Sequence, residues 1–259
     1  MIWLLQQPPI IVATLVVLGT VGLSVLGLIV FRRVTRSERF ESANDVTAQT
    51  FALAGILYAV LVAFVVVVVW EQFADAKAAA ESEANAISDL LRDSETLPPE
   101  SREAVRASLV AYAEDVVNDE FVRLHHGEAI EQQSDQLSQI WQSYLDVRPV
   151  TQIQIAFLNE DIGKLNDLGS SRKVRISSGD AEIPTELWVL LVGGGAVMLT
   201  FTYLFGTKHI AVHAASVALA GALLSFVLYL IFALEHPFVG DLSVQTDPYE
   251  HVLETWREG

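Results

Sequence analysis

The sequence predicts an all-α membrane protein with four transmembrane helices and a helical extramembrane domain inserted between the second and the third. Three observations lead to this fold class. The 259 residues are 52% hydrophobic, yet they carry a formal net charge of −16, so apolar and charged residues must be segregated. The apolar residues gather into four uncharged runs. A long acidic segment with helical spacing separates the second run from the third.

Each apolar run is long enough to cross a bilayer. A helix needs about 20 apolar residues to span about 30 Å of hydrocarbon. The tail ahead of the first run has no charge, unlike the basic start of a signal peptide, so we expect this run to be a retained span. The runs are Ile10–Phe31, Phe51–Trp70, Leu187–Phe205 and Ile210–Leu234. The expected domains are 1–70 (first pair of spans), 71–183 (acidic helical domain), 184–235 (second pair) and 236–259 (acidic C-terminal tail).

Basic residues indicate an orientation in the membrane. The loop after the first run carries four arginines and the tail before it has no Lys or Arg, and short basic loops stay in the cytoplasm. We therefore expect the N-terminus, the 71–183 domain and the C-terminal tail outside the inner (plasma) membrane of a bacterium. Counting all basic residues near the membrane ends gives five inside against four outside. They are Arg32, Arg33, Arg36, Arg39 and Lys208 inside, and Lys77, Arg172, Lys173 and Arg175 outside.

The segment 71–183 is polar, but its apolar residues keep a helical spacing. It contains 22 acidic and 10 basic residues, a local net charge of −12. No Gly or Pro interrupts the chain between the second run and Pro98, which predicts one helix from about Phe51 to Asp93. Further predictions are a helix from Pro99 to the break at His125-His126-Gly127, a third from about Ile130 that ends or kinks near Pro149 and resumes at Ile153, and a loop over 169–184 with a short hairpin around Lys173 to Ile176.

The first apolar stripe of this segment allows two interpretations. In a packed bundle, it covers other helices of the same domain. As a seam between subunits, its alanines and flanking glutamates suit close packing of helices from neighbouring copies. The stripe consists of Phe73, Ala76, Ala80, Ile87, Leu90 and Leu91.

No motif for catalysis, cofactor binding or metal binding stands out. Gly193-Gly194-Gly195 lies inside an apolar run without the Lys-Ser or Lys-Thr of a phosphate-binding loop, so we interpret it as close helix packing or helix flexibility. Adjacent His125 and His126 point in different directions on a helix, which disfavours a metal site. There is no cysteine and hence no thiolate site. We expect no enzyme activity, no cofactor and no nucleic-acid partner.

Small residues recur every four positions in two of the runs. In lipid, such stripes let helix backbones approach and pack, either within one chain or between subunits. They are Gly55, Ala59 and Ala63 in the second run, and Ala214, Ala218 and Ala222 in the fourth.

Two histidines open the fourth run. His209 and His213 are spaced i, i+4 and share a predicted helix face. They mark either an interfacial helix end or a protonation-sensitive element.

The spans offer no charged group for a path through the membrane. No inverted repeat, interrupted helix or charge at mid-depth indicates a transporter. A conduction path along the second and third runs would therefore be lined by hydroxyls, backbone or apolar side chains, with selectivity imposed at its mouths. The candidates are Tyr58 as a lining group and Glu71 and Glu186 as mouths, which would favour cations. Phe64 to Trp70 could form a constriction, although Val65 to Val69 also fits a lipid-facing or core helix.

Short motifs spread over most of the chain form a recognisable set: Asn44, Leu57-Tyr58-Ala59-Val60 leading to Trp70-Glu71, Glu83-Ala84-Asn85-Ala86, Leu187-Trp188 and Pro237-Phe238-Val239-Gly240. In these motifs the chain resembles bacterial membrane proteins described as bestrophin-like. The resemblance implies a homo-oligomer, usually a pentamer, with a central pore for inorganic ions lined by the second span. It also implies that the termini and the helical domain lie in the cytosol, opposite to the charge-based orientation.

Two functions follow from these observations. The first is an oligomeric, cation-preferring ion channel in the lipid bilayer. The alternative is a membrane-anchored sensor or scaffold whose acidic helical domain binds a protein partner. A channel needs an oligomer with an axial path, whereas a scaffold can be a monomer or dimer with a solid core.

Overall fold

The protein is helical in the parts that the computed structural model describes, which are residues 9–35, 43–240 and 242–257. No strand occurs within these ranges. A 3₁₀ turn, Ser94–Thr96, follows the second helix, and a π turn, Val116–Glu120, joins the third to the fourth. The helices are α1 (Pro9–Thr35), α2 (Asn44–Asp93), α3 (Pro99–Asp115), α4 (Phe121–His125), α5 (Asp135–Leu145), α6 (Gln152–Gly179), α7 (Thr185–Tyr203), α8 (Ile210–Leu234) and α9 (Asp247–Arg257).

The described residues form two compact units. We call residues 9–71 and 182–235 the membrane unit, and residues 72–181 and 236–257 the domain unit. The boundary falls inside α2, so this 50-residue helix contributes one part to each unit. Four of the described helices, α1, α2, α7 and α8, are long and apolar enough to cross a membrane, which confirms the four predicted spans. Arg36 and Arg39, used above for the orientation, lie outside the described residues.

Within the membrane unit, α1 packs mainly against α8. The contact is close because Gly221 has no side chain, and a Cβ there would lie 2.8 Å from the Ser24 hydroxyl oxygen. α7 joins the pair through Tyr203, whose hydroxyl donates to the Ser24 carbonyl at 2.9 Å. Gly27 leaves the space that the Tyr203 hydroxyl occupies. Small residues thus allow the close helix packing that lipid-exposed bundles need.

The domain unit has one hydrophobic core built from α2, α3, α5, α6 and α9. The stripe of α2 predicted from the sequence is buried in this core, since Ala76, Ala80, Ile87 and Leu90 have no exposed surface. These side chains contact the same chain, as the packed-bundle interpretation requires. They are not available as a seam between subunits, so that interpretation is wrong.

The last third of the domain differs from the prediction. α6 continues as one helix to Gly179, where the sequence indicated a loop and a hairpin. Its buried face includes Leu165, Leu168, Arg172 and Arg175, so the helical spacing is maintained by arginines as well as leucines. Tertiary contacts of these side chains outweigh the low helix propensity of the glycines and serines nearby. Ile130, predicted to belong to the third helix, precedes α5 in a loop.

The chain beyond α8 belongs to the domain unit. Gly240 adopts a positive φ of 83° in a turn that glycine accommodates without strain. Tyr249, Val252 and Leu253 of α9 are buried in the same core as α2 and α6. The Arg106 guanidinium lies over the Trp256 indole, and its Cζ atom is 5.2 Å from the centroid of the indole ring. The sequence did not indicate that the acidic tail packs on the domain.

Candidate functional site: the second helix in the membrane unit

One face of α2 packs against α7. The Tyr58 hydroxyl donates to the Leu191 carbonyl at 2.8 Å. The Tyr58 ring fills space left by two glycines of α7, because a Cβ at Gly194 would lie 2.7 Å from the ring and one at Gly195 would lie 3.1 Å from the hydroxyl. One turn earlier on α2, Gly55 faces the Met198 side chain of α7. Within the chain, Tyr58 therefore has a packing role, and two of the three consecutive glycines serve close helix packing.

The opposite face of α2 is not covered by other parts of the chain that the structure describes. Phe64 is 68% exposed and Trp70 is 59% exposed. The small residues Ala59 and Ala63 also lie exposed in this part of the helix. The large apolar residues recur at intervals of three or four, which places most of them on one side of a helix. They are Leu53, Ile56, Leu57, Val60, Phe64, Val67 and Val68, and we call them the exposed face of α2.

Carboxylates lie at the ends of two spans. Glu71 follows the exposed Trp70 directly and is itself exposed. Glu186 is exposed in the first turn of α7, where the partial positive charge of a helix N-terminus favours an anion. The two residues lie at the ends of apolar helices, on different helices, and their role at the mouths of a pore stays a prediction.

The loop between α7 and α8 is fixed by residues from two other helices. The Asn44 side chain donates to the Gly206 carbonyl and accepts from the Gly206 amide, both at 2.9 Å. Arg32 donates to the Thr207 carbonyl. These bonds satisfy backbone groups of the loop itself, which lie beyond the end of α7. They give a physical reason for Asn44, which the sequence showed only as part of a family resemblance.

Glu235 closes the other end of the α7–α8 pair. Its carboxylate is 5% exposed and accepts hydrogen bonds from the Ile183 amide at 2.7 Å and from the Trp188 indole at 3.1 Å. These two donors provide the hydrogen bonds that a buried carboxyl group needs. We did not single out Glu235 as a site residue from the sequence. The available signal was that Trp188 opens one span and Glu235 closes the other.

The two histidines near α8 have different environments. His213 is buried, and its Nε2 lies 2.8 Å from the Thr202 carbonyl. His209 is exposed and precedes the helix. They do not share an exposed face, and their proposed sensitivity to protonation stays a prediction. Ala214, Ala218 and Ala222 are half-buried, while the fully buried positions, also spaced by four, are His213, Val217, Gly221 and Ser225.

The domain unit contains a buried charge cluster that the sequence did not reveal. Arg175 of α6 pairs with Glu83 of α2 (Nε–Oε2 2.7 Å) and with Glu120 (Nη2–Oε2 2.5 Å). Arg172 binds the other oxygen of Glu120 at 2.6 Å, and the Tyr112 hydroxyl donates to Glu83 at 2.6 Å. The two carboxylates and two guanidinium groups balance in charge. We call Glu83, Glu120, Arg172 and Arg175 the buried charge cluster.

The electrostatics of this cluster favour the ionised form of Glu120. Burial alone would raise the pKa of Glu120, but Arg175 and Arg172 together outweigh burial and hold the pKa below its usual value. Burial, together with the Glu83 charge, raises the pKa of Tyr112 well above its usual value, so its hydroxyl remains a hydrogen-bond donor. The cluster is a structural connection between α2, the π turn and α6. Nothing in it resembles a catalytic arrangement of acid, base and nucleophile.

The fold and the exposed face of α2 define an integral membrane protein in which two pairs of apolar helices are joined to a helical domain. The chain belongs to the bestrophin-like family, because the family model of the Bestrophin-like domain matches residues 18–249. The fold is similar to that of a bacterial bestrophin homolog from Klebsiella pneumoniae that carries a leucine-to-threonine substitution. That structure has a TM-score of 0.62 and 13% sequence identity, and the match covers 93% of this chain and 98% of the other. Among curated proteins, no sequence matches significantly.

Proposed function

We propose that the protein is a homo-oligomeric ion channel whose pore is lined by the exposed face of α2. The observation that carries the proposal is this face itself. From Leu53 to Val68 it is apolar and uncovered within the chain, and it ends at the exposed Trp70 and Glu71. Membership of the bestrophin-like family supports the proposal, since the resemblance implies a pentamer with an ion pore along the second span.

The exposed face has the properties of a narrow, water-excluding constriction. Phe64, Val67 and Val68 have no polar side-chain atom with which to coordinate an ion, and apolar constrictions gate channels by dewetting. Ala59 and Ala63 have short side chains, which allow the α2 helices of neighbouring copies to approach closely. Conduction would therefore depend on the spacing of the α2 helices in the assembly.

The channel prefers cations in this proposal. In an oligomer, Glu71 forms a ring of carboxylates at the end of the apolar face, and such rings raise the local cation concentration. The segment from Glu71 to Ile183 adds a net charge of −12, from 22 acidic and 10 basic residues. Charges are screened over about 8 Å at physiological salt, so the residues at the mouth matter most.

Two measurements on the purified full-length protein test this function. The mass of the protein in detergent should correspond to several 28.4-kDa chains. In planar bilayers with a salt gradient, the reversal potential should have the sign of a cation-selective current. A monomeric mass together with the absence of current would contradict the channel. Anion-selective currents would contradict the acidic mouth while retaining the channel.

A second candidate function is a scaffold that binds a protein partner through the domain unit. One observation favours it: three large apolar residues near the connection between α5 and α6 are exposed, namely Leu145 at 61%, Val150 at 83% and Ile153 at 66%. Exposed apolar patches often mark interaction sites. A monomeric or dimeric protein without current would shift the choice to this function.

We propose a location in the inner membrane of a bacterium, with the N-terminus and the domain unit outside, as the arginine loop indicates. Because the sequence lacks cysteine, single cysteines can be introduced at exposed positions such as Ala43 and Gln133. A membrane-impermeant thiol reagent applied to intact cells should label Gln133→Cys and not Ala43→Cys. The opposite labelling pattern would reverse the orientation. The unmodified chain is the control for background labelling.

A further inference from the structure

A carboxyl group in the domain unit is buried without a hydrogen-bond partner. Asp161 of α6 has no exposed surface, and neither of its carboxyl oxygens accepts a hydrogen bond. Burying an ionised carboxylate without compensating hydrogen bonds is costly, and the usual response is that the group binds a proton. Glu120 in the same domain is also buried, but each of its carboxylate oxygens pairs with an arginine.

The groups around Asp161 come from three helices. The hydroxyl of Tyr144 on α5 acts on Asp161 and lowers the pKa of that carboxyl, but the two groups do not meet with full hydrogen-bond geometry. Asp93, at the end of α2, is 5% exposed and adds a second carboxylate. Lys164 is the cation that acts on Asp161, and it pairs with Asp93 and, at 3.3 Å, with the exposed Glu160. Asp89 also acts on Lys164.

The balance of charge around Asp161 is therefore unfavourable to its ionised form. Lys164 carries one positive charge and is already bound to two carboxylates. Arg92 pairs with Asp93 and Asp89, not with Asp161. Within the described residues, no group of three or more acidic or histidine side chains is arranged to hold a metal ion. Binding of a proton to Asp161 removes its negative charge and with it the unfavourable interaction with Asp93.

We propose that Asp161 is a proton-sensitive residue: it holds a proton while α6 packs against α5 and the end of α2, and the loss of that proton weakens this packing. Burial first, and then the Asp93 charge, raise the pKa of Asp161 to about 7, against the opposing effect of Lys164. This inference concerns the domain unit alone. It does not rest on ion conduction, and it stands or falls separately from the channel.

The sign of the pH effect follows from the direction of this shift. In the unfolded chain the pKa of an aspartate is about 3.9. Because the folded pKa is higher, the contribution to stability is complete below the unfolded pKa and is lost as the pH rises through the folded pKa. The domain should therefore be more stable at about pH 5.5 than at about pH 8.5. A change from neutral to more acidic conditions would therefore stabilise the packing of α6 against α5 and the end of α2.

Infrared difference spectra of the full-length protein in detergent test the protonation state directly. The carbonyl stretch of a protonated, buried carboxylic acid should be present at about pH 5 and disappear with a midpoint within about one unit of pH 7. Asp161→Asn should lack this band. Tyr144→Phe should retain it with a higher midpoint, because the Tyr144 hydroxyl lowers the pKa of Asp161. A spectrum at about pH 5 that is identical in the unmodified protein and in Asp161→Asn overturns the proposal.

Thermal unfolding across the same pH range tests the consequence for packing. Tryptophan fluorescence follows this unfolding, since two of the five tryptophans, Trp141 and Trp256, pack against the hydrophobic core of the domain. The melting temperature of the unmodified protein should fall between about pH 6 and pH 8.5, and Asp161→Asn should show a smaller fall. Asp167→Asn removes an exposed carboxylate from the same helix and should retain the fall of the unmodified protein. Equal falls in Asp161→Asn and Asp167→Asn overturn the proposal. If Asp161→Asn does not fold, the midpoint shift in Tyr144→Phe decides.

Discussion

The guanidinium of Arg175 on α6 pairs with the carboxylate of Glu83 on α2 inside the domain unit, where neither side chain has exposed surface. The pair is not isolated, because Arg175 also binds Glu120 and because Tyr112 donates to Glu83. Each carboxylate therefore has at least two donors. A buried ion pair is tolerated when such additional hydrogen bonds offset the loss of hydration.

The first prediction concerns this pair. Arg175→Met leaves Glu83 and Glu120 with fewer donors in a buried site, and removing one partner of a buried pair costs about 3–5 kcal/mol. The free energy of unfolding of the domain should fall by an amount of that order, measured by denaturant titration of the full-length protein. Glu83→Gln combined with Arg175→Met should cost less than the sum of the single changes, because no unpaired charge remains.

Lys77→Met is the matched control for Arg175→Met. Lys77 belongs to an exposed pair with Glu81 on α2, and exposed pairs contribute little to stability. Its unfolding free energy should stay close to that of the unmodified protein. Equal destabilisation by Lys77→Met and Arg175→Met would show that the buried charge cluster is not an important stabilising contact.

The buried charge cluster also explains why part of the domain was mispredicted. The four spans and the long α2 were predictable, because an uncharged apolar run and an uninterrupted helical stripe depend on local sequence alone. The end of α6 was not, because Arg172, Lys173 and Arg175 suggest a solvent-exposed segment. Only the carboxylates of Glu83 and Glu120, distant in the chain, make a buried helix face out of those arginines. Pairing between distant residues is invisible to a periodicity argument.

The sequence indicated candidate residues on α2 but not which side of the helix each one occupies. Phe64, Trp70 and Glu71 are exposed on α2, and their role in a pore stays a prediction. Tyr58 lies on the opposite side of α2, where its ring packs against the glycines of α7. In an entirely apolar helix the hydrophobic pattern does not distinguish one face from another. The contact with Gly194 therefore had to be seen in three dimensions.

The second prediction tests the contact between Tyr58 and α7. Gly194→Ala places a Cβ 2.7 Å from the Tyr58 ring, so the ring or the helix must shift. Overpacking of this kind costs about 1–3 kcal/mol, more than the helix propensity gained by replacing glycine. The melting temperature in detergent should fall. Gly193→Ala, whose Cβ would have no neighbour within 4 Å, should leave it unchanged or raise it. If Gly193→Ala and Gly194→Ala have the same effect, the contact is not a constraint on packing.

The third prediction tests whether the uncovered side of α2 faces another copy. Ala59 is exposed within the chain, so Ala59→Leu adds bulk without disturbing the packing of the single chain. If neighbouring α2 helices approach there, the larger side chain holds them apart and the oligomer mass falls. Ala215→Leu makes the same change at an exposed position of α8. An unchanged mass in Ala59→Leu and Ala63→Leu would assign this side of α2 to lipid or to open water.

The last prediction concerns selectivity at the mouth of the proposed pore. Glu71→Gln removes one carboxylate per chain from the position directly after Trp70, while the exposed Glu100→Gln removes the same charge from α3 of the domain unit. Because the Debye length is about 30 Å at 0.01 M salt and about 3 Å at 1 M, the effect of a mouth charge should be largest at low salt. We expect Glu71→Gln to lower the cation-to-anion permeability ratio severalfold in dilute salt, and Glu100→Gln to lower it much less. The measurement is the reversal potential in planar bilayers at two ionic strengths. Equal ratios in the two variants at low salt would mean that selectivity arises from the charge of the whole domain and not from a carboxylate ring at the end of α2.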